Sequence, residues 1–440
     1  MINTHGIHPG TARPLGGDRY TSRAFMEAEW DNVWTKSWLI TIRADQIPEP
    51  GDFMLEEIGR ESILIVRQDD GGIKALYNVC QHRGNRLVIE PEGSMPSFTC
   101  PYHSWRFELD GRCSYAQDPE DFPGGDPCAH ASLADIPCEQ FSGFVWINMD
   151  PACASLRESL GPIWDAWSVY PLENMTRVQA TSVRMPCNWK LLLDNFHETY
   201  HLPTAHPEGI EYAEDSYLET HIELYENGHA LGQTKCCLPA HRLPAHKNRL
   251  TEPVASDLER WDLDPQAFRG RERDPREAVQ RQKRALYAER GLHHYARLSD
   301  AQLTDVFHYT LFPNFATSLN ADGMLFLRAM PHPTDPEHCI FDSWYYNFGD
   351  MSWHKSLVTL DGEQARKPVE REIIDYGDKS LGVVLDGDAW VMAGQQKALY
   401  SRGYRGAILA NQERRITQYH AMIDRYIAGY RPPANSRSAA

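Results

Sequence analysis

Two short stretches hold the residue types best suited to chemistry. Residues 78–107 run NVCQHRGNRLVIEPEGSMPSFTCPYHSWRF, in which Cys80 and His82 form C-x-H and Cys100 and His103 form C-x-x-H. Two thiolates and two imidazoles on neighbouring loops suit a tetrahedral zinc ion, or a [2Fe–2S] cluster with cysteines on one iron and histidines on the other. Spacing alone admits both. The second stretch, 187–207, reads CNWKLLLDNFHETYHLPTAHP. From Lys190 to His201 it has no Gly or Pro, and Leu191, Leu192, Leu193 and Phe196 give a helix an apolar face. Asp194, Glu198 and His201, spaced by four and three, are expected to share another face. On a continuous helix His201 and His206 would point about 140° apart. Pro203 forbids that continuation, so the chain is expected to turn and bring His206 beside His201. Two neutral imidazoles and one carboxylate make the three-ligand face that suits non-haem Fe(II) and leaves positions open for dioxygen.

The flanks of the first cluster narrow its reading. Arg83-Gly84 gives a tight turn beside the C-x-H ligands, and Pro101 stiffens the second loop so that backbone N–H groups can point at bridging sulfides. With these flanks the pair resembles the Rieske cluster loops of the ring-hydroxylating oxygenase family. Cys80, His82, Cys100 and His103 are then the expected ligands of a [2Fe–2S] cluster, with structural zinc as the alternative. Ser104 stands where many relatives have glycine. The resemblance covers nearly the full length, strongest at 78–107 and 186–207 and weaker at 383–429.

The resemblance implies further site residues. It makes His201 and His206 ligands of a mononuclear Fe(II) and takes the third ligand from far downstream. There VVLDGDAWVMAGQQKALYSRGY, at 383–404, places Asp388 eight before Gln396 in the family's acid-to-glutamine spacing. Asp386 is the alternative ligand, or a helix N-cap. Glu198, three before His201, matches the acid that links a cluster histidine of one subunit to the iron-ligand histidine of its neighbour. Most relatives carry aspartate there; those with glutamate include oxygenases acting on quaternary ammonium compounds such as carnitine. Asn195 matches an asparagine near the iron and is expected to give a supporting hydrogen bond, and Asn188, Trp189 and Lys190 match the family's NWK entry, with Trp189 as packing. His197 reads as a helix-flank residue, and His293, His294, His308, His332, His338 and His420 form no usable pattern.

These residues need elements to hold them. SILIVR at 62–67 and GFVWINMD at 143–150 read as strands bracketing the first cluster, as expected for a small β domain carrying it at loop tips. Residues 21–37 read as a helix capped by Thr21 or Ser22, with Phe25, Trp30 and Trp34 as candidate buried positions. The expected class is α+β: a small all-β Rieske domain at 38–155 and a larger catalytic domain at 156–440. By resemblance the latter is a helix-grip fold, an antiparallel sheet wrapped round a long helix, with the N-terminal segment 1–37 packed on it. Residues 208–300 match no motif and read as a solvated, partly helical insertion, since acids interleave with the bases. LFPNFATSLNADGMLFLRAMPHP and HCIFDSWYYNF read as adjacent strands. Near the C-terminus, Ile416, Tyr419, Ile423, Tyr426 and Ile427 fall on one helix face.

The remaining properties exclude several function classes. At 440 residues two domains are the default. A net charge of −17 argues against a nucleic-acid partner, which would need clustered Lys and Arg. No apolar run is long enough to span a membrane, and the first residues lack the pattern of a signal peptide, so a soluble cytoplasmic protein is expected. Ten cysteines in so long a chain do not suggest a disulfide framework, and Cys113, Cys128, Cys138, Cys153, Cys236, Cys237 and Cys339 read as small buried thiols. No G-x-G-x-x-G follows a strand to bind a nicotinamide or flavin, so electrons must come from elsewhere.

The function that the resemblance implies is the terminal component of an oxygenase. It would use O2 and take electrons from a separate NAD(P)H-dependent flavin reductase, with or without a ferredoxin. It would assemble as a homotrimer, with or without a β subunit. The candidate pocket strands are rich in Phe, Leu, Met, Trp and Tyr, which favours hydroxylation of a hydrophobic aromatic or polycyclic substrate. The alternative is a monooxygenase demethylating or cleaving a quaternary ammonium compound of the carnitine, betaine or choline type, caged by the same aromatic side chains.

Overall fold

The computed structural model describes residues 15–243, 250–348 and 369–432. The chain divides into two compact units, Ala28–Ser159 with Gly429–Ala440, and Met1–Glu27 with Leu160–Ala428. Against the expected boundary at 37, the division falls inside a helix, Arg23–Asn32. The single helix expected over 21–37 is three pieces, Asp18–Thr21, Arg23–Asn32 and a 3-10 turn at Trp34–Lys36. Ser22 Oγ accepts the Phe25 N–H at 3.3 Å, which caps the second piece. Trp34 is buried, while Phe25 and Trp30 are half-buried.

The smaller unit is built of short strands. β1 (Leu39–Arg43), β10 (Cys138–Phe141) and β11 (Phe144–Ile147) make one sheet in the order β1-β11-β10. β2 (Asp52–Ile58), β3 (Glu61–Arg67), β4 (Ile73–Tyr77), β5 (Glu92–Ser94) and β9 (Asp135–Ile136) make another, ordered β5-β2-β3-β4-β9. β6 (Phe98–Thr99), β7 (Arg106–Phe107) and β8 (Cys113–Tyr115) form a third, small sheet. Phe53, Leu64, Val66, Leu76, Phe98, Trp105 and Phe107 fill the core beneath the loops that carry Cys80 and Cys100. Burying each such apolar side chain stabilises the unit by roughly 1.5–3 kcal/mol, enough to hold short strands that could not stand alone. Cys113 and Cys128, expected as separate thiols, are joined in a disulfide. The Asp126 carboxylate accepts the Cys128 N–H at 2.9 Å and so turns Cys128 back towards β8, a closure invisible in a fifteen-residue separation.

The larger unit is dominated by one eight-stranded sheet. Its strands are β12 (Met175–Met185), β13 (His221–Leu224), β14 (Ala230–Thr234), β15 (Val306–Leu311), β16 (Phe315–Leu319), β17 (Gly323–Pro331), β18 (Cys339–Phe348) and β19 (Glu372–Asp375). They are ordered β13-β14-β15-β16-β17-β18-β12-β19, antiparallel throughout except for the β12–β19 pair. The region 208–300, expected as a partly helical insertion, does carry helices at Glu252–Arg260 and Pro275–Leu286, but its β13 and β14 extend the main sheet. These strands are only four and five residues long and their burial does not alternate, so the period-two signal of a strand is missing.

Three helices carry the rest of the argument: Trp189–Phe196, Val383–Ala398 and Arg414–Ile427. The last buries Ile416, Tyr419, Ile423 and Tyr426, with Ile427 half-buried. No helix among the described residues is long and apolar enough to cross a membrane.

Candidate metal centres

The two cluster loops repeat one backbone design. The Cys80 N–H bonds the Asn85 carbonyl at 2.8 Å and the Gly84 N–H returns to the Cys80 carbonyl at 3.0 Å. In the second loop the Cys100 N–H bonds the Trp105 carbonyl at 2.8 Å and the Ser104 N–H returns to the Cys100 carbonyl at 3.0 Å. Gly84 and Ser104 therefore hold equivalent places, and both are left-handed, at φ +75° and +58°. That is the physical reason for a glycine preference there.

These loops hold both thiols buried and the two imidazoles half-buried, with the His82 and His103 rings 4.7 Å apart. His82 stacks on Trp105 at 4.9 Å, and Arg83 lies over the Tyr102 ring. Burial pushes the Cys80 thiol up, opposed by the backbone N–H groups of His82 and Arg83, and helped by the adjacent Cys100. Donors already aimed at sulfur, and a buried His103 Nδ1 with no partner among the described residues, fit a group that takes two thiolates and two ring nitrogens.

The second centre begins where the Trp189–Phe196 helix ends. Asn188 starts that helix, its side chain accepting the Lys190 N–H at 3.0 Å, and Leu191, Leu192 and Leu193 are buried. The helix was expected to reach His201, with Asp194, Glu198 and His201 on one face. It stops at Phe196 because the Glu198 carboxylate captures the N–H groups of Tyr200 and His201, the latter at 3.0 Å. Asp194, still inside the helix, therefore does not share a face with Glu198 and His201; it meets His420 Nε2 at 2.9 Å and the Tyr20 hydroxyl at 2.7 Å. Burial opposes the Asp194 charge, but His420, Tyr20 and His197 outweigh it and hold the carboxyl below its ordinary value.

Pro203 does not end helical structure either. It sits in the first turn of a new short helix, Leu202–Ala205, where its missing donor costs nothing. That turn brings the His201 and His206 rings to 5.2 Å at 82°. Asp388, buried on the Val383–Ala398 helix, places Oδ1 2.8 Å from His206 Nε2 and 3.6 Å from His201 Nε2. One ligand atom from each of the three lies within 4.8 Å of the others. Two ring nitrogens facing one carboxylate oxygen are the donor set that a mononuclear iron takes.

Glu198 Oε1 lies 2.7 Å from His201 Nδ1, leaving Nε2 for the centre. Burial disfavours a charge on His201, but the Glu198 hydrogen bond and the charges of Glu198 and Asp388 outweigh it and raise the imidazole above its ordinary value. Asp386 lies apart from the set, accepting the Leu381 N–H at 2.7 Å, although the helix N-cap is Gly382. Gln396 Oε1 accepts the Asn188 N–H at 2.9 Å. The Nδ2 of Asn195, expected to give a supporting hydrogen bond, is buried without a partner among the described residues. Trp189 packs edge-on to Tyr419. His197 is no surface flank: it is buried 4.7 Å from the Tyr419 ring and driven down to about 3 by burial, chiefly, and by Arg415.

Sequence spacing missed three residues of this region. His420 pairs with Asp194, His308 Nδ1 lies 2.9 Å from Ser318 Oγ, and Arg415 is buried behind Glu198. Arg415 did leave a signal, a charged residue three before Gln418 on a helix whose neighbours Ile416 and Tyr419 are apolar and buried. A second group of possible ligands, Glu214, Glu219 and His241, is an ion-pair network instead. Arg273 meets Glu214 at 2.7 Å and Lys235 meets Glu219 at 3.0 Å, which satisfies the carboxylates.

Comparison with known proteins identifies two domains in the chain. Residues 37–131 match the model of the Rieske [2Fe-2S] domain, and 172–429 that of the ring hydroxylating alpha subunit catalytic domain. The carnitine monooxygenase oxygenase subunit of Escherichia coli K12 is 36% identical over 205 residues, 46% of this chain and 54% of that protein. The glycine betaine monooxygenase oxygenase subunit of Pseudomonas aeruginosa UCBPP-PA14 is 31% identical over 190 residues, 43% of this chain and 44% of that protein. The matched stretches thus span about half the length of these relatives. Among solved structures, a quaternary ammonium Rieske monooxygenase studied for carnitine oxidation and inter-subunit electron transfer aligns at TM-score 0.66 and 19% identity, covering 95% of this chain and 96% of that one. A naphthalene 1,2-dioxygenase bound to phenanthrene aligns at TM-score 0.68 and 18% identity, covering 95% and 93%. At such identities these two likenesses concern the fold, a Rieske domain joined to a catalytic domain of sheet and helices. The chain belongs to the Rieske ring-hydroxylating oxygenase family as a large, or alpha, subunit, whose cofactors are a [2Fe–2S] cluster and a mononuclear iron.

Proposed function

We propose that the chain is the terminal oxygenase of a Rieske system and that its substrate is a quaternary ammonium compound of the carnitine or betaine type. The convergence of His201, His206 and Asp388 supports the first half. The second half rests on relatives named for carnitine and glycine betaine, at 36% and 31% identity, whereas the likeness to a naphthalene dioxygenase is one of fold. Glu198 in the place of the commoner aspartate favours the same substrates. The aromatic or polycyclic substrate suggested by the pocket strands is therefore the weaker reading.

In this proposal Cys80, His82, Cys100 and His103 hold the cluster, and His201, His206 and Asp388 hold the iron. When bound, the two centres supply single electrons and the activation of dioxygen, respectively. Glu198 orients His201 through Nδ1 and connects it to a cluster histidine of a neighbouring subunit in a head-to-tail homotrimer. Electrons come from a separate reductase, with or without a ferredoxin. In the overall reaction one oxygen atom enters a substrate C–H bond beside nitrogen and the other leaves as water, at the cost of two electrons and two protons. The hydroxylated carbon then breaks its C–N bond.

The test is a single turnover of the loaded, chemically reduced protein with O2, against a pool of methylated ammonium compounds and a pool of aromatic, terpenoid and steroid compounds. Loss of a methyl group or C–N cleavage in the first pool is the expected outcome. Oxygen found only in ring compounds overturns the substrate assignment.

A further inference from the structure

The face of the large sheet that meets the Trp189–Phe196 helix, which leads into the two histidines, can be traced strand by strand. Phe196, at the end of that helix, stacks on Phe341 of β18 at 5.6 Å. Phe341 pairs with Ala329, two positions along β17 from Leu327 and four from Leu325, and Leu325 pairs with Ser318 of β16. Ser318 pairs with His308 of β15, and His308 with Gly232 of β14. Directly opposed residues share a face, as do alternate residues of one strand, so Gly232, His308 and Ser318 face the same side as Phe341. His308 and Ser318 keep part of their surface accessible there.

On that face lies a guanidinium with little to hold. Arg415 is 3% exposed, its one hydrogen bond among the described residues is Nη1 to the His308 carbonyl at 3.3 Å, and its buried Nε has no partner. Glu198 is the acid whose field acts on it, but both Glu198 oxygens are committed to His201 and Tyr200. Burial lowers Arg415 to about 10, which leaves it charged at neutral pH, and burial drives His308 down to about 3, so that its neighbour is neutral. Gly232 makes the room: a Cβ there would come within 2.9 Å of Arg415 Cζ and 3.0–3.1 Å of both terminal nitrogens. A buried guanidinium without a paired anion is costly unless a ligand supplies one.

We propose that Arg415, cradled by Gly232, is the anion-reading group of the substrate site and takes the carboxylate of a zwitterionic methylated ammonium substrate. The inference rests on the quaternary ammonium reading and deepens it. A planar five-donor fork suits a carboxylate, and with the adjacent His308 neutral the guanidinium is the local cation. Arg415 thereby separates betaine-type zwitterions from alcohols that carry the same trimethylammonium group.

The test measures binding of carnitine, glycine betaine and choline to the holoenzyme by calorimetry. Wild type is expected to bind the better zwitterion roughly tenfold to a hundredfold tighter than choline. Arg415→Gln should erase that preference with little change in choline binding, Arg415→Lys should retain part of it, and Gly232→Ala should reduce it by displacing the fork. Cluster absorbance and iron content report whether each variant is folded. Equal binding of choline and the zwitterions by wild type overturns the inference, as does a preference that survives in both Arg415→Gln and Gly232→Ala. Absence of binding by all three compounds, choline included, instead overturns the quaternary ammonium reading itself, and the inference with it.

Discussion

The Gln396 side chain accepts the backbone N–H of Asn188 at 2.9 Å across 208 residues of sequence. The contact joins the helix bearing Asp388 to the start of the helix that leads into His201 and His206, and so helps to hold the carboxylate against the two imidazoles. Both partners are buried.

That tie can be broken without touching a ligand. Gln396→Leu strands a buried N–H, which costs about 1–3 kcal/mol, and lets the two helices slide. Affinity for the mononuclear iron should fall roughly tenfold to a hundredfold while the reduced cluster keeps its EPR signal. Asp388→Ala should lose that iron outright, and Asp386→Ala should keep it. Iron counted per chain, beyond the two of the cluster, distinguishes the three; unchanged affinity in Gln396→Leu would show that the helices are positioned by other contacts.

Proton competition at His201 follows from its partners. Burial works against the imidazolium, but Glu198 and Asp388 raise its value above 6.5 in the metal-free protein. A raised folded value stabilises the metal-free fold fully below 6.5 and less as pH rises through the folded value. Metal loading requires the neutral ring and therefore runs the other way, weakening as pH falls through the same window. Glu198→Gln removes the largest charge-stabilising partner and should move the pH midpoint of iron uptake downward. A midpoint unmoved in titrations of both proteins would mean that Glu198 does not control the His201 proton.

The paired cluster loops permit a comparison within one molecule. Gly84 at φ +75° has no atom within 4 Å of a would-be Cβ, so Gly84→Val is penalised by backbone conformation alone. A left-handed β-branched residue should destabilise the cluster domain by about 1–2 kcal/mol. Ser104→Gly, at φ +58°, should leave it unchanged or slightly more stable. Thermal bleaching of the cluster's visible absorbance measures both. A drop in Ser104→Gly as large as in Gly84→Val would place the role of Ser104 in its hydroxyl and not in its backbone.

The sequence by itself determined the chemistry that is local. Cys80, His82, Cys100 and His103 sit on two loops whose returns close within five residues, and His201 and His206 are carried by one turn, so the types and spacing of the candidate ligands were both readable along the chain. Local reading failed where a side chain competed with the backbone. The Trp189–Phe196 helix ends early where Glu198 takes two N–H groups, so Glu198 and His201 leave the helix face of Asp194, whose carboxylate meets His420. Tertiary structure alone decided the distant partners: Asp388 beside His206 across 182 residues, Asp194 beside His420 across 226, and Arg415 against His308 across 107. Spacing encodes periodicity within an element but not which buried faces meet. That choice was made when the Arg414–Ile427 helix packed on the Trp189–Phe196 helix through Tyr419 and Trp189, and on β14 where Gly232 leaves room for the Arg415 guanidinium.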